Sequence, residues 1–70
     1  MDSLTALREL QRRRGENQAQ FAAYLGISQP TLSRIYRGER GIGGRVLAKI
    51  LIKYPKFVSF FVKEYADQPR

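Results

Sequence analysis

Apolar residues recur along this chain at intervals of three and four. Leu4, Leu7 and Leu10 open the pattern, Phe21, Ala22 and Leu25 continue it, and Leu32, Ile35 and Tyr36 repeat it. Val46, Leu47, Ile50 and Leu51 extend it, and Phe57, Val58, Phe60, Phe61 and Val62 close it. Residues three and four apart share one face of a helix, so this spacing predicts amphipathic helices. No stretch keeps the two-residue alternation of a half-buried strand, and a sheet is unsupported.

Caps and breakers divide the pattern into five short helices. The first covers residues 4–14, capped by Asp2 or Ser3 and stopped by Gly15. The second covers residues 18–25. Asn17 is its N-cap, and Gln20 stands three residues on, so "NQAQ" has the form of a capping box. Gly26 ends that helix, and only Ile27 separates it from Ser28, the N-cap of a third helix over residues 29–37 that Gly38 closes. Residues 38–44, "GERGIGG", form a tightly turned or flexible connection. A fourth helix covers residues 45–53. Pro55 terminates it and opens a fifth over residues 55–65, because a first-turn N–H needs no intrahelical partner. Residues 66–70 are expected to fray. The expected fold is all-α: one domain over residues 1–70, a compact bundle of about five short helices with a helix-turn-helix at residues 18–37.

Composition narrows the chemistry. A chain of 70 residues buries only roughly 60% of its unfolded surface, so the core is thin. It has neither cysteine nor histidine, which excludes disulfides and thiolate ligation and leaves no conventional zinc site. No metal and no cofactor is expected. Nor is an enzyme, because six acidic residues without a histidine or cysteine offer no nucleophile–base set. The net charge of +7 favours a polyanionic partner, either nucleic acid or an anionic membrane surface. No apolar run approaches the ~18–20 residues of a membrane span, and "MDSLTALREL" lacks a signal-peptide core. The lysines near the fifth helix form no separate cationic face, so membrane-surface binding is disfavoured. A cytoplasmic protein, nucleoid-associated in a bacterial host, is expected.

Two short helices joined by a glycine-containing turn define a helix-turn-helix. Ala22 lies four residues before Gly26, where a bulky side chain would keep the next helix at a distance. Gly26 can take a positive φ without steric cost. Ile27, Leu32 and Ile35 then anchor the third helix. Pro30 falls within its first turn, where backbone N–H groups lack partners, and stiffens the entry. The opposite face carries Gln29, Thr31, Ser33, Arg34 and Arg37, groups that read base edges or grip phosphates. Taken singly, Thr31 and Ser33 fit a solvated face better than a contact with DNA. The triplet Arg12, Arg13 and Arg14 suits either the negative end of a helix dipole or a phosphate.

Residues 18–38, "QAQFAAYLGISQPTLSRIYRG", resemble the helix-turn-helix of Cro/repressor-type regulators, the class of phage Cro and repressor N-terminal domains. The resemblance runs on through "ERGIGGRVLAKI" and covers about residues 4–54. The string "ISQPTLSR" also resembles the recognition helix of LysR-type regulators, which are much longer chains with an effector domain. The Cro/repressor resemblance implies that Gln18 grips a phosphate and braces the recognition helix, and that Gln29 bonds an adenine or another base edge. Pro30 replaces a residue that is usually polar and offers an apolar surface to a thymine methyl. Arg34, one turn on, reaches guanine O6 and N7 or the backbone. Ser28, Arg37, Arg40 and Arg45 are assigned to phosphates.

The fifth predicted helix is too apolar for the surface of a 70-residue monomer. Phe57, Val58, Phe60, Phe61 and Val62 cover most of its circumference, so one stripe caps the core and the other forms a dimer interface. A thin core that needs all these aromatics is the competing explanation. The resemblance also implies a homodimer reading two half-sites, including one that forms only on DNA. The expected function is a sequence-specific double-stranded DNA-binding transcriptional regulator, a small Cro-like repressor of phage or bacterial type on an inverted-repeat operator, with no small-molecule ligand. The alternative is an architectural or partner-docking helix-turn-helix module, in DNA packaging, recombination or an antitoxin-like role, with weak sequence preference.

Overall fold

Asp2 decides how the chain enters its first helix. Its carboxylate accepts from the Thr5 N–H at 2.7 Å, which holds its pKa below the ordinary value and makes it the N-cap. Ser3 therefore belongs to the helix, one residue earlier than expected. In the computed structural model, which describes residues 2–60, α1 (Ser3–Arg14), α2 (Gln18–Leu25), α3 (Gln29–Tyr36) and α4 (Gly44–Lys53) follow one another. A 3-10 turn, Pro55–Phe57, leads into helical residues 58–60. The architecture is all-helical.

The bounds of α2 match the expectation, and its capping box is complete. Gln20 N–H donates to the Asn17 side chain at 2.8 Å, and Asn17 N–H donates to the Gln20 side chain at 3.1 Å. At the far end Gly26 has φ +82°, and the Gly26 and Ile27 N–H groups both return to the Ala22 carbonyl, at 2.9 and 3.0 Å. The same closure ends α3, where Glu39 N–H reaches the Arg34 carbonyl at 2.9 Å. Left-handed turns of this kind satisfy the orphan carbonyls of a helix end. Arg37, expected as the last residue of the helix, is consequently its C-cap, outside α3.

Leu7, Phe21, Ala22, Leu25, Leu32, Ile35 and Ile50 are buried at the centre. Phe57 joins them at 2% exposure, while Leu4, Leu10, Ile27, Leu47, Leu51 and Phe60 pack around them, half-buried. Leu47 and Leu51 were expected inside; they form the margin of the core instead. The predicted fifth helix opens differently as well. Tyr54 breaks α4 at φ −135°, ψ 77°, outside the helical region that a following proline disfavours. The first turn after it closes by a bond from Phe57 N–H to the Tyr54 carbonyl. The remainder of that predicted helix, with Phe61 and Val62, and the tail expected to fray lie outside the described residues.

Ion pairs decorate α1. Arg12 and Arg13 both engage Glu9, pulling its pKa down to about 2, and Arg14 engages Glu16. Arg14 also stacks 3.4 Å from the ring centre of Tyr24, whose other contacts are Lys53 at 4.8 Å and an edge-on Tyr54. All three arginines of the basic triplet thus have carboxylate partners, in addition to the dipole they face.

Candidate nucleic-acid interface

The turn between α2 and α3 places two glutamines side by side. Gln18 is the first residue of α2 and Gln29 the first of α3, eleven positions later. The Gln29 Nε2 donates to Gln18 Oε1 at 3.1 Å. One amide therefore orients the other, and Gln29, which is exposed, has a second donor hydrogen and a carbonyl oxygen besides. Ser28 caps α3 by accepting from the Thr31 N–H at 3.2 Å. Pro30 stands in the first turn of α3, exposed.

Helical spacing sorts the face of α3. At about 100° per residue, Gln29, Pro30, Ser33, Arg34 and Arg37 fall within an arc of about 140°, opposite Leu32 and Ile35. Thr31 falls outside that arc. It is half-buried, and its hydroxyl shares a 2.7 Å hydrogen bond with Ser28 Oγ. Gln29, Pro30, Arg34 and Arg37 are exposed, and Ser33 is half-buried. Among the described residues Arg34 has no carboxylate partner, whereas Arg37 donates to Glu39 at 2.9 Å.

Arg40 and Arg45 flank the start of α4 and are exposed. Gly43 is its N-cap and supplies no side-chain cap. The first N–H groups of α4 therefore add a positive dipole end to the two guanidinium groups. Arg40 reaches back over this start, with its NH2 nitrogen 3.7 Å from where a Gly43 Cβ would stand.

Three residues that fix this surface escaped the sequence reading. Lys49 of α4 donates from Nζ to the Gly26 carbonyl at 2.6 Å and ties α4 to the turn. Arg8 of α1 donates to the Tyr36 carbonyl at 2.6 Å and lies 5.0 Å from the centre of the Tyr36 ring. The Tyr36 hydroxyl donates to Gln11 Oε1 at 2.7 Å, and burial raises its pKa to about 12. Arg8 and Gln11, with Arg12, Gln18 and Arg37, line a polar cleft of about 470 Å³ beside the glutamine pair. These contacts join residues 23 to 28 positions apart, for which local spacing carries no signal.

A family model described as helix-turn-helix matches residues 6–56, spanning α1 through the 3-10 turn. The chain belongs to that family. Within it, this is a domain of the Cro/repressor type, a DNA-binding helix-turn-helix. No curated protein and no solved structure matches the chain. Of the residues assigned to the family's DNA-contacting surface, Gln18, Gln29, Pro30, Ser33, Arg34 and Arg37 share one side of the α2–α3 unit. Among the described residues no helix is long and apolar enough to cross a membrane.

Of the residues expected to form a dimer interface, Phe57 is taken by the core of its own chain. Phe60 is half-buried against it, and Val58 is 41% exposed.

Proposed function

We propose that this helix-turn-helix protein is a sequence-specific transcriptional regulator of the small Cro-like repressor kind. In this reading α3 enters the major groove of double-stranded DNA, and Gln29, Pro30, Ser33 and Arg34 meet base edges, with Thr31 at the margin. Gln18, Ser28, Arg37, Arg40 and Arg45 hold phosphates on either side. The observation that carries the reading is the Gln18–Gln29 hydrogen bond. It spends one polar contact on orienting an exposed residue that has a second donor hydrogen and a carbonyl oxygen for an outside partner.

The repressor acts as a homodimer on an inverted repeat, assembled in solution or on the DNA, and blocks transcription by occupying its operator. Half-sites then lie about 34–36 Å apart, one helical turn. Val58, with Phe61 and Val62, is proposed for the dimer contact. Catalysis, a metal and a small-molecule ligand have no part in the mechanism, and the protein works in the cytoplasm.

Salt dependence tests the phosphate side of this reading. With about six phosphate contacts per dimer, the slope of log affinity against log salt is near −5. Arg40→Ala and Arg45→Ala each remove one contact per protomer, and each is expected to make that slope shallower by about 2 and to weaken binding equally on all duplexes. Slopes unchanged in both variants would remove these arginines from the phosphate contacts.

A further inference from the structure

We propose that the groove between α1 and the Tyr54–Phe60 segment docks an acidic amphipathic helix of another protein. The groove measures about 620 Å³ and is floored by Leu10, Tyr54, Phe57 and Phe60. Its rim is polar and mostly cationic, formed by Glu9, Arg13, Lys53 and Lys56. An apolar floor between charged rims is the form of a helix-in-groove site, where anchors at i, i+3 or i+4, and i+7 enter the floor. Residues 6–13 of α1 run along it for about 10 Å, which matches two helical turns of an occupant.

Charge selects that occupant. Among the described residues Glu9 is the one acidic residue lining the groove, and its carboxylate is engaged by Arg12 and Arg13. Lys53 rests 4.8 Å from the Tyr24 ring centre, and Lys56 is exposed. A second copy of this chain would bring the same cations against themselves. A helix flanked by carboxylates would complement them, and interfaces between opposite charges also associate faster.

The groove lies away from the DNA. On α1, residues 6, 9, 10 and 13 line it, whereas residues 8, 11 and 12 line the polar cleft beside Gln18. At 100° per residue these two sets are about 160° apart around the helix. An occupant of the groove and a duplex against α3 are therefore compatible, and the site gives a DNA-bound protein a means of recruiting an acidic partner.

The test uses the full chain and a labelled peptide of about 14 residues, with leucines at i, i+3 and i+7 and glutamates elsewhere. An isomer of the same composition with scattered leucines serves as control. Fluorescence anisotropy at about 0.15 M salt is expected to show binding of the first peptide and much weaker binding of the isomer. The pair Lys53→Glu/Lys56→Glu, both on exposed positions, is expected to weaken it by about tenfold or more. Arg34→Glu leaves it unchanged, and the peptide stays bound when excess duplex is added. Circular dichroism confirms that both variants are folded. Equal binding of the isomer would reduce the effect to general charge attraction, and displacement by duplex or loss in Arg34→Glu would move the site to the DNA face. Either result overturns the proposal. So does no binding at all, or a wild-type dimer that Leu10→Glu converts to folded monomers, which would give the groove to a second copy.

Discussion

Gln29 has a side chain with three hydrogen-bonding groups and surrenders one of them to Gln18. The brace fixes the amide plane before any base arrives, which lowers the ordering cost of binding. Gln18→Ala is expected to leave stability within about 0.5 kcal/mol, since both side chains are at the surface. It should nevertheless reduce discrimination at the base that Gln29 contacts, as competition between matched and single-mismatch duplexes would reveal. Tyr36 makes a second residue-scale prediction. Burial raises its pKa from 10.0 to about 12, so folding favours its protonated form. That contribution is complete below pH 10 and is lost as pH rises toward 12. Tyr36→Phe also forfeits the bond to Gln11, at a cost of about 0.5–1.5 kcal/mol near pH 8. Urea midpoints taken from pH 8 to 12 should show the wild type losing its advantage over the variant across that window. A constant difference would mean that the hydroxyl does not titrate as described.

At the scale of elements, the α2–turn–α3 unit was the most legible part of the chain. Its caps are all local: Asn17 with Gln20, Gly26 after Leu25, and Ser28 before Pro30 each act within four residues. Gly26 is expected to be intolerant of substitution. An added Cβ would stand 3.8 Å from Lys49 Cδ, an ordinary contact, so space is not the obstacle. The obstacle is φ +82°, and Gly26→Ala should cost about 1–2 kcal/mol in thermal or urea unfolding. Ser28→Ala should cost about 0.5–2 kcal/mol through the lost cap. The segment after α4 was less legible. A proline marks a break and permits a helix after it, but both an α-helical and a 3-10 first turn satisfy that rule, and tertiary packing of Phe57 decides. The links from Arg8 to Tyr36 and from Lys49 to Gly26 were illegible for a different reason: periodicity reports which face of an element is apolar, not which distant residue will meet it.

The whole molecule is strongly cationic, with a net charge of +7. Arg34, Arg40 and Arg45 are exposed on α3 and around the start of α4, while Val58 and Phe60 lie in the segment that follows α4. The sequence pattern showed an excess of apolar residues near the C-terminus, yet not their division between core and surface, because a helix with apolar residues all round has no unique inward face. Val58→Glu should therefore leave stability nearly unchanged and shift sedimentation toward monomer, both free and on a duplex carrying two half-sites. An unchanged dimer would exclude Val58 from the contact. The central claim, that α3 reads sequence, is tested most directly by selecting binders from a random duplex pool with the wild type and a Gln29→Ala/Arg34→Ala double variant in parallel. We expect the wild type to enrich an inverted repeat with half-site centres about one helical turn apart, and the variant to lose it while keeping salt-sensitive, sequence-blind binding. Tight wild-type binding with nothing enriched, or the same sequence enriched by both proteins, would contradict the account and favour an architectural helix-turn-helix module.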